Sequence, residues 1–406
     1  MIEKKKDILA FQSLWNRSAR FLGLLTVFAI LPVLCAEVFL GACGNPQAAA
    51  AVKEFQMTPA VDRIIRNGCD AMYRYDISTA EQHFESLIRM FPQHPAGYMY
   101  RAELVWWLAL RDLSNKSLQE NFNSFTKVAI QKGESLLAKN PNDFYATLFL
   151  ASTHGNKTRY CLTITDQTFG AVLAAREGNK YNRKALALQP DYKDCLLGTG
   201  AWDYFTGDLP ALIKPLAWLL GARGDKEKGL AALKEVAEKG EYARVEAKIV
   251  LLGVFLTRKE FKTYLDLLKS LIQQYRSNPI FYSWMGNYYN RYQLWEEGRR
   301  DFVTLLNGTP SNGNKKAESW LLLNLGRMEM GKRNLDAAIE NFSQALENGR
   351  NDLNLRTRAH LYRGCCYDAK EQREAALADY QQVKKLPPVE NMHRDADRYL
   401  KKPFRW

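Results

Sequence analysis

Residues 282–310 read YSWMGNYYNRYQLWEEGRRDFVTLLNGTP, and this stretch decides how the chain folds. Small and apolar residues recur in it at fixed offsets, at Tyr282, Met285, Gly286, Tyr289, Gly298, Phe302, Leu305 and Pro310. Small residues let two helices approach closely where they cross, and the aromatic side chains fill the space beside the crossing. A proline then ends the second helix. The stretch therefore predicts a helical hairpin.

The same spacing recurs twice towards the C-terminus and once near the start of the chain. It is carried by Leu322, Leu325, Gly326, Ala338, Phe342 and Ala345, by Gly364, Tyr367, Ala376, Tyr380, Val383 and Pro388, and by Gly68, Ala80, Phe84, Leu87 and Pro92. Between residues 96 and 279 the pattern degenerates, but Pro141, Pro190 and Pro279 each follow an apolar-periodic stretch. Such self-similarity predicts about seven stacked hairpins, followed by a capping helix near residues 389–401.

These motifs resemble the tetratricopeptide repeat, W-x-x-L-G-x-x-Y followed by A-x-x-x-F and P, over most of residues 57–388. The resemblance implies an all-α fold, a right-handed superhelical solenoid of antiparallel helical hairpins with a concave groove. Proteins of this family usually hold extended or helical peptides in that groove. The middle segment from Gly198 to Leu230 also looks like a pattern in exported bacterial repeat proteins, and it is weakly similar to a eukaryotic tetratricopeptide family.

Polar residues of the first helices are the candidate binding residues of the groove. Counting from the motif glycines, the inward-facing positions are Ser283, Asn287, Asn290, Arg291, Leu323, Arg327, Arg358, Leu361 and Asp368. Asparagines there can bond a peptide backbone, and arginines can pair with carboxylates. The carboxylate-clamp subtype of the family has a lysine one turn before such an asparagine, where this chain has Ser283, so capture of a C-terminus is not expected. The alternative is a solvated polar face.

An apolar insertion over residues 207–222 interrupts the repeats. Residues 208–220 read DLPALIKPLAWLL, in which Pro210 and Pro215 disfavour one continuous helix. Two interpretations stand: a flap that touches lipid or closes over a ligand, or an extra helix that fills the groove of the solenoid. The second is the expectation.

The N-terminal leader resembles that of a bacterial lipoprotein. Lysines at 4–6 precede an uncharged run over residues 21–34, and Leu40-Gly41-Ala42-Cys43 resembles a lipobox. Residues 1–42 are therefore predicted to be a signal peptide, and Cys43 is predicted to carry the lipid that holds the chain on a membrane of the cell envelope, facing the periplasm or the cell exterior. Residues 43–56 would be a short tether. A cleaved, unlipidated signal ending near residues 48–50 and an uncleaved anchor through residues 21–42 are the alternatives.

Composition and charge narrow the class of partner. The chain has 47% hydrophobic and 25% charged residues, as expected of a chain that folds around a core. Its formal net charge of +13 favours acidic partners such as anionic lipid headgroups, acidic polysaccharide or an acidic protein face. No nucleic acid is expected, because there is no arginine-rich tract and no nucleic-acid-reading motif.

Nothing in the sequence indicates catalysis, a metal or a cofactor. The five histidines lack metal-ligand spacing, and the cysteines after Cys43 are expected to be small apolar residues inside helices. Residues 308–315 superficially resemble a phosphate-binding loop, but Asn314 displaces the lysine.

The domain organisation and function follow from these observations. Residues 57–388 form the repeat domain, and residues 389–406 form a capping helix and tail. The prediction is a non-enzymatic, membrane-anchored scaffold that binds a protein or peptide in its groove. An assembly factor for outer-membrane or secretion machinery and a ligand-handling accessory component of a transporter are the alternatives.

Overall fold

A computed structural model describes residues 54–113, 115–211, 214–219, 222–308 and 315–406. These ranges contain helices and no β-strand. The helices are α1 (Pro59–Tyr73), α2 (Ile77–Met90), α3 (Ala96–Ala109), α4 (Lys116–Lys139), α5 (Phe144–Tyr160), α6 (Thr168–Leu188), α7 (Leu196–Gly207), α8 (Lys214–Leu219), α9 (Lys226–Lys239), α10 (Arg244–Thr257), α11 (Phe261–Gln274), α12 (Pro279–Tyr292), α13 (Trp295–Asn307), α14 (Lys315–Gly331), α15 (Leu335–Asn348), α16 (Leu353–Ala369), α17 (Arg373–Lys385) and α18 (Met392–Lys401). The predicted leader, Cys43 and most of the predicted tether lie outside the described residues.

The described residues form eight antiparallel hairpins, in which successive helices pack against each other. The pairs are α1 with α2, α3 with α4, α5 with α6, α7 with α9, α10 with α11, α12 with α13, α14 with α15 and α16 with α17. Helix α18 covers the last hairpin. The all-α repeat fold predicted from the motifs is confirmed. The described helices include none that is both long and apolar enough to cross a bilayer.

A common backbone turn joins the two helices of five of these hairpins. Its left-handed residues are Tyr75, Lys259, Gln293, Arg333 and Glu371, with φ of 61°, 60°, 55°, 63° and 61°. After each one, the next N–H bonds a carbonyl five residues back, as from Asp76 to Ala71 and from Gln372 to Tyr367, both at 2.8 Å. This Schellman-type bonding ends the first helix and reverses the chain. The hairpins without it are the second to fourth, where the sequence pattern degenerates.

The first and second helices of the hairpins differ in burial. Second helices such as α2 and α15 bury one stripe, which for α15 consists of Ala338, Phe342 and Ala345. First helices such as α12 and α14 have apolar residues around most of their circumference, and they are buried on several sides. A helix that is apolar all round is enclosed by other elements on all sides. The first helices therefore form the inside of the molecule.

The N-terminal hairpins also contact hairpins that lie far away in sequence. The Trp107 ring of α3 lies edge-on to Phe281 of α12, with 5.8 Å between the centroids. The Asn278 side chain donates to the Tyr73 carbonyl oxygen at 2.9 Å. One continuous hydrophobic core extends from α1 to α16. The stack therefore closes on itself, and its own first helices fill the inside of its N-terminal half.

The apolar insertion is not placed as expected. Helix α8 is six residues long, and Trp218 is 49% exposed, with Ala211 and Pro215 also exposed. The expectation that this segment fills the groove is wrong for these residues, because first helices of other hairpins occupy the inside of the stack. The insertion instead lies at the turn between α7 and α9.

Candidate functional site

The predicted groove residues lie on three neighbouring first helices near the C-terminus. Ser283, Asn287, Asn290 and Arg291 are half-buried on α12, Arg327 is half-buried on α14, and Arg358 is half-buried on α16. Helix α14 packs against both α12 and α16. The predicted leucines Leu323 and Leu361 are buried core residues. The polar set thus forms one partly exposed face.

Arg327 is the centre of this face. Its guanidinium donates to the Asn287 side-chain oxygen at 2.8 Å and to the Asn324 side-chain oxygen at 2.9 Å. It also lies 5.7 Å from the centroid of the Tyr362 ring. Burial and the nearby Arg358 lower the pKa of Arg327. Among the described residues no carboxylate forms an ion pair with Arg327, so this half-buried positive charge is held by neutral groups.

Arg358 stands beside it with a carboxylate partner. Its guanidinium donates to Glu390 at 2.6 Å and to the Asn354 side-chain oxygen at 3.0 Å. Glu390 precedes the capping helix α18, so the cap supplies the only carboxylate that the described structure pairs with this face. Because Glu390 pairs with Arg358 and no described carboxylate pairs with Arg327, the face keeps an excess of positive charge.

The remaining α12 residues are bonded within their own helix. Asn290 donates to the Gly286 carbonyl oxygen at 2.9 Å, and Ser283 donates to that of Pro279 at 3.0 Å. Arg291 lies 5.6 Å from the centroid of the Tyr292 ring. These side chains can turn to a ligand only by giving up such contacts, so Asn287 and Arg327 are the pair that the structure brings together.

Asp368 lies apart from this face. Its buried carboxylate accepts from Arg373 at 2.9 Å, from the Tyr380 hydroxyl at 2.8 Å and from the Phe404 N–H at 2.8 Å. These partners belong to the last hairpin and the C-terminal tail. Asp368 therefore holds the tail in place, and its prediction as a groove residue is corrected because every contact it makes is internal.

A buried ionic cluster that the sequence did not predict joins the first helices of the second, third and fifth hairpins. Arg159 of α5 forms ion pairs with Glu103 of α3, at 3.4 Å, and with Glu246 of α10. Its guanidinium carbon lies 3.8 Å from the centroid of the Trp106 ring. Burial raises the pKa of Glu103 and lowers that of Arg159. The cluster lies among first helices, which were predicted to line an open groove, and it links the second and third hairpins to the fifth.

The structure also has two surface clefts that the sequence did not predict. One of about 440 Å³ lies between α9, α10 and α11 and is lined partly by Leu251, Phe255 and Asp266. The other, of about 380 Å³, is lined by tyrosines, carboxylates and apolar residues: Met57, Pro59, Asp62, Tyr145, Tyr192, Glu241 and Tyr242. Arg66 pairs with both carboxylates of the second cleft, at 2.8 and 2.6 Å. The chain's own arginine thus neutralises its acidic groups.

The described residues contain no cluster of three potential metal ligands. Their cysteines, at positions 69, 161, 195, 365 and 366, are all buried as free thiols. Burial raises the pKa of Cys69 and Cys365, which keeps these thiols protonated and unreactive.

Comparison with solved structures shows that the chain is similar to helical repeat proteins. No family model matches the chain, and no curated protein matches it. A tetratricopeptide repeat protein from Parabacteroides merdae aligns at 14% identity and a TM-score of 0.30, covering 75% of this chain and 99% of that one. The APC/C hetero-tetramer Cut9-Hcn1 aligns at 13% identity and 0.32, covering 84% and 63%. The TPR domain of P58(IPK) aligns at 12% identity and 0.25, covering 85% and 99%. At such TM-scores, the assignment of the fold rests on the hairpins of this chain.

Proposed function

We propose that this protein is a non-enzymatic scaffold that binds a protein or peptide at the face formed by α12, α14 and α16. The observation that carries the proposal is the half-buried Arg327 guanidinium, which is oriented by Asn287 and Asn324 and has no ion-pair partner among the described carboxylates. A buried charge is costly unless it is paired. A partner that presents a carboxylate at this position would supply the missing charge.

The geometry favours a specific contact at Arg327. A guanidinium can bond a carboxylate through two parallel N–H groups, and the two amide oxygens fix its plane in advance. A fixed side chain loses less conformational entropy on binding. Asn287 then has its own NH2 group available for a backbone carbonyl of the partner. The partner chemistry is therefore an acidic side chain within an extended or helical peptide.

The test compares two arginine substitutions. Arg327→Gln keeps a polar side chain but removes the charge, whereas Arg63→Gln makes the same change at an exposed arginine of α1. Proteins captured from an envelope extract would be identified by mass spectrometry, and the binding of acidic peptides derived from them would be titrated. We expect Arg327→Gln to weaken binding at least about tenfold, which is the loss of one charged hydrogen bond.

Salt dependence gives a second test of the same proposal. Binding of the parent should weaken as salt concentration rises, because the contact is between opposite charges that are partly exposed. Circular dichroism must first show equal helix content in all three proteins. If Arg327→Gln captures the same proteins with the same affinity as the parent and Arg63→Gln, this face is not the binding site.

We also propose that the scaffold is held on a membrane of the bacterial cell envelope through Cys43. The support is the leader sequence alone, with its lysines, apolar run and Leu40-Gly41-Ala42-Cys43. A fatty-acid analogue should label the parent and leave Cys43→Ala unlabelled. Equal labelling of both proteins would contradict the lipid anchor.

A further inference from the structure

The turn edge of the third and fourth hairpins carries a concentration of exposed apolar side chains. The first turns of α6 lie at this edge. There Phe169 is 54% exposed and Leu173, one helical turn further on, is 48% exposed. In α8 of the neighbouring hairpin, Trp218 is 49% exposed. Helix α6 packs against α7, and hairpins that stack side by side place their turns along one edge. The three side chains therefore belong to the same edge.

Basic residues follow the apolar ones on α6 and flank Trp218 around α8. On α6 the stripe that begins with Phe169 and Leu173 continues with the exposed Arg176 and Lys180. At a rise of about 1.5 Å per residue, these cations lie roughly 5 and 10 Å behind Leu173. Around α8 the basic residues are Lys214 and Arg223. The described residues offer no ion-pair partner to Arg176, Lys214 or Arg223.

The base of the insertion is closely packed. A Cβ on Gly224 would lie 2.1 Å from the Thr206 hydroxyl and 2.4 Å from the Asp203 carbonyl oxygen. A Cβ on Gly229 would lie 2.3 Å from the backbone nitrogen of Tyr204, so α7 and α9 are in backbone contact. Lys226 also pairs with Asp208 across this base at 2.5 Å. These contacts hold the two ends of the insertion against each other.

We infer that this edge docks on an anionic lipid bilayer. On α6 the apolar tips have cations one to three helical turns behind them, which matches the depth profile of a membrane surface, where acyl chains lie below anionic headgroups. Tryptophan is well suited to the boundary because its ring is apolar and its N–H is polar. The charge pattern selects the bilayer over an apolar protein surface, since Arg176, Lys214 and Arg223 have no ion-pair partner among the described residues and only Lys180 has one, Glu177 at 3.7 Å. This inference does not depend on the proposed binding face of α12, α14 and α16.

Position-resolved hydrogen exchange tests the docking with the full-length chain. The protein would be mixed with vesicles of phosphatidylcholine and phosphatidylglycerol, and separately with vesicles of phosphatidylcholine alone. We expect amide exchange of residues 168–176 and 214–219 to slow at least about threefold on the anionic vesicles. Because the readout is local, attachment of the leader to the vesicles does not by itself produce it.

A double variant and a matched control complete the experiment. Leu173→Asp with Trp218→Asp should abolish the local protection, whereas Leu353→Asp makes the same change at another exposed leucine, 45% exposed on α16, and should retain it. All changes are at exposed positions, so helix content should be unchanged. Absence of local protection, equal protection on phosphatidylcholine alone, or equal protection in the double variant would each overturn the inference. Protection that arises only when envelope proteins are added would assign the edge to a protein partner instead.

Discussion

Gly326 and Gly286 occupy the same position of the repeat but make different contacts. A Cβ on Gly326 would lie 2.6 Å from the Phe342 ring, on the second helix of the same hairpin. A Cβ on Gly286 would lie 2.0 Å from the side-chain oxygen of Asn324, on the first helix of the next hairpin. The sequence pattern predicts the crossing of the two helices within a hairpin, and Gly326 confirms it. At Gly286 the close approach instead makes room for the amide that orients Arg327.

The contact at Gly326 leads to a prediction on stability. Gly326→Leu should destabilise the protein by about 1–3 kcal/mol or more, because Phe342 is fully buried and cannot move away without repacking. Glu340→Gln on the exposed side of α15 should cost less than about 0.5 kcal/mol. Urea unfolding of both variants measures the two free energies. Similar values for both would mean that α14 and α15 do not cross at Gly326.

At the scale of an element, the start of α3 depends on His94. The His94 ring stacks on Phe55 with 3.8 Å between centroids, and its Nδ1 accepts from the Ala96 N–H at 3.3 Å. This acceptor satisfies one of the free N–H groups in the first turn of the helix. Burial lowers the pKa of His94 to about 3. The neutral ring is therefore the form that the folded protein requires.

Stability should consequently fall in acid. The pKa of His94 is lower in the folded state than in the unfolded state, where it is about 6.5. Its contribution is thus complete above pH 6.5 and is lost as the pH falls towards 3, by up to about 4 kcal/mol. In His94→Phe, the free energy of unfolding should depend less on pH between 6.5 and 4 than it does in the parent.

The matched control for this measurement is His83→Phe, at a half-buried position of α2. It removes a histidine without touching the start of α3, so we expect it to keep the pH dependence that His94 gives the parent. Denaturant unfolding at a series of pH values gives the comparison. If His94→Phe and the parent lose stability in parallel as the pH falls, the folded protein does not require the neutral form of His94.

At the scale of the whole molecule, polar contacts fasten the closed stack. Arg111, just after α3, pairs with Asp352 at the start of α16 at 2.6 Å. Its guanidinium lies 5.0 Å from the Trp320 ring centroid and 5.3 Å from that of Tyr75. Burial opposes ionisation of Asp352, but the bonds from Arg111 and from the α16 backbone outweigh it and lower the pKa. This contact joins the second hairpin to the eighth.

A double-mutant cycle should detect this closure. Arg111→Ala and Asp352→Ala should show a coupling of about 1 kcal/mol or more, because both side chains are largely buried. The exposed Lys262–Asp266 pair of α11, at 2.6 Å, should show no measurable coupling. Small-angle scattering should also show a larger radius of gyration in Arg111→Ala. Independent effects at the two sites would mean that Arg111 and Asp352 are not paired in solution.

The sequence by itself determined the helices, their pairing and much of the candidate face. Gly326, Phe342 and the residues equivalent to them establish hairpins because a small residue and an aromatic at fixed spacing specify a local helix crossing. The positions of Asn287 and Arg327 follow from the same repeat, so their proximity on successive first helices was predictable. The left-handed turn residues such as Glu371 were not predictable, because no glycine marks them.

Only the tertiary structure decided that the stack closes and which predicted residues remain on its surface. Arg111 and Asp352 are 241 residues apart, and Arg159 and Glu246 are 87 apart. Whether such residues meet depends on small rotations between neighbouring repeats, which accumulate over the stack and leave no local pattern in the sequence. The burial of Asp368 was likewise not predictable from local spacing. The Phe404 N–H that bonds it belongs to the C-terminal tail, which packing of the last hairpin places beside Asp368. Local spacing specifies each hairpin, whereas the sum of the rotations specifies the closed molecule.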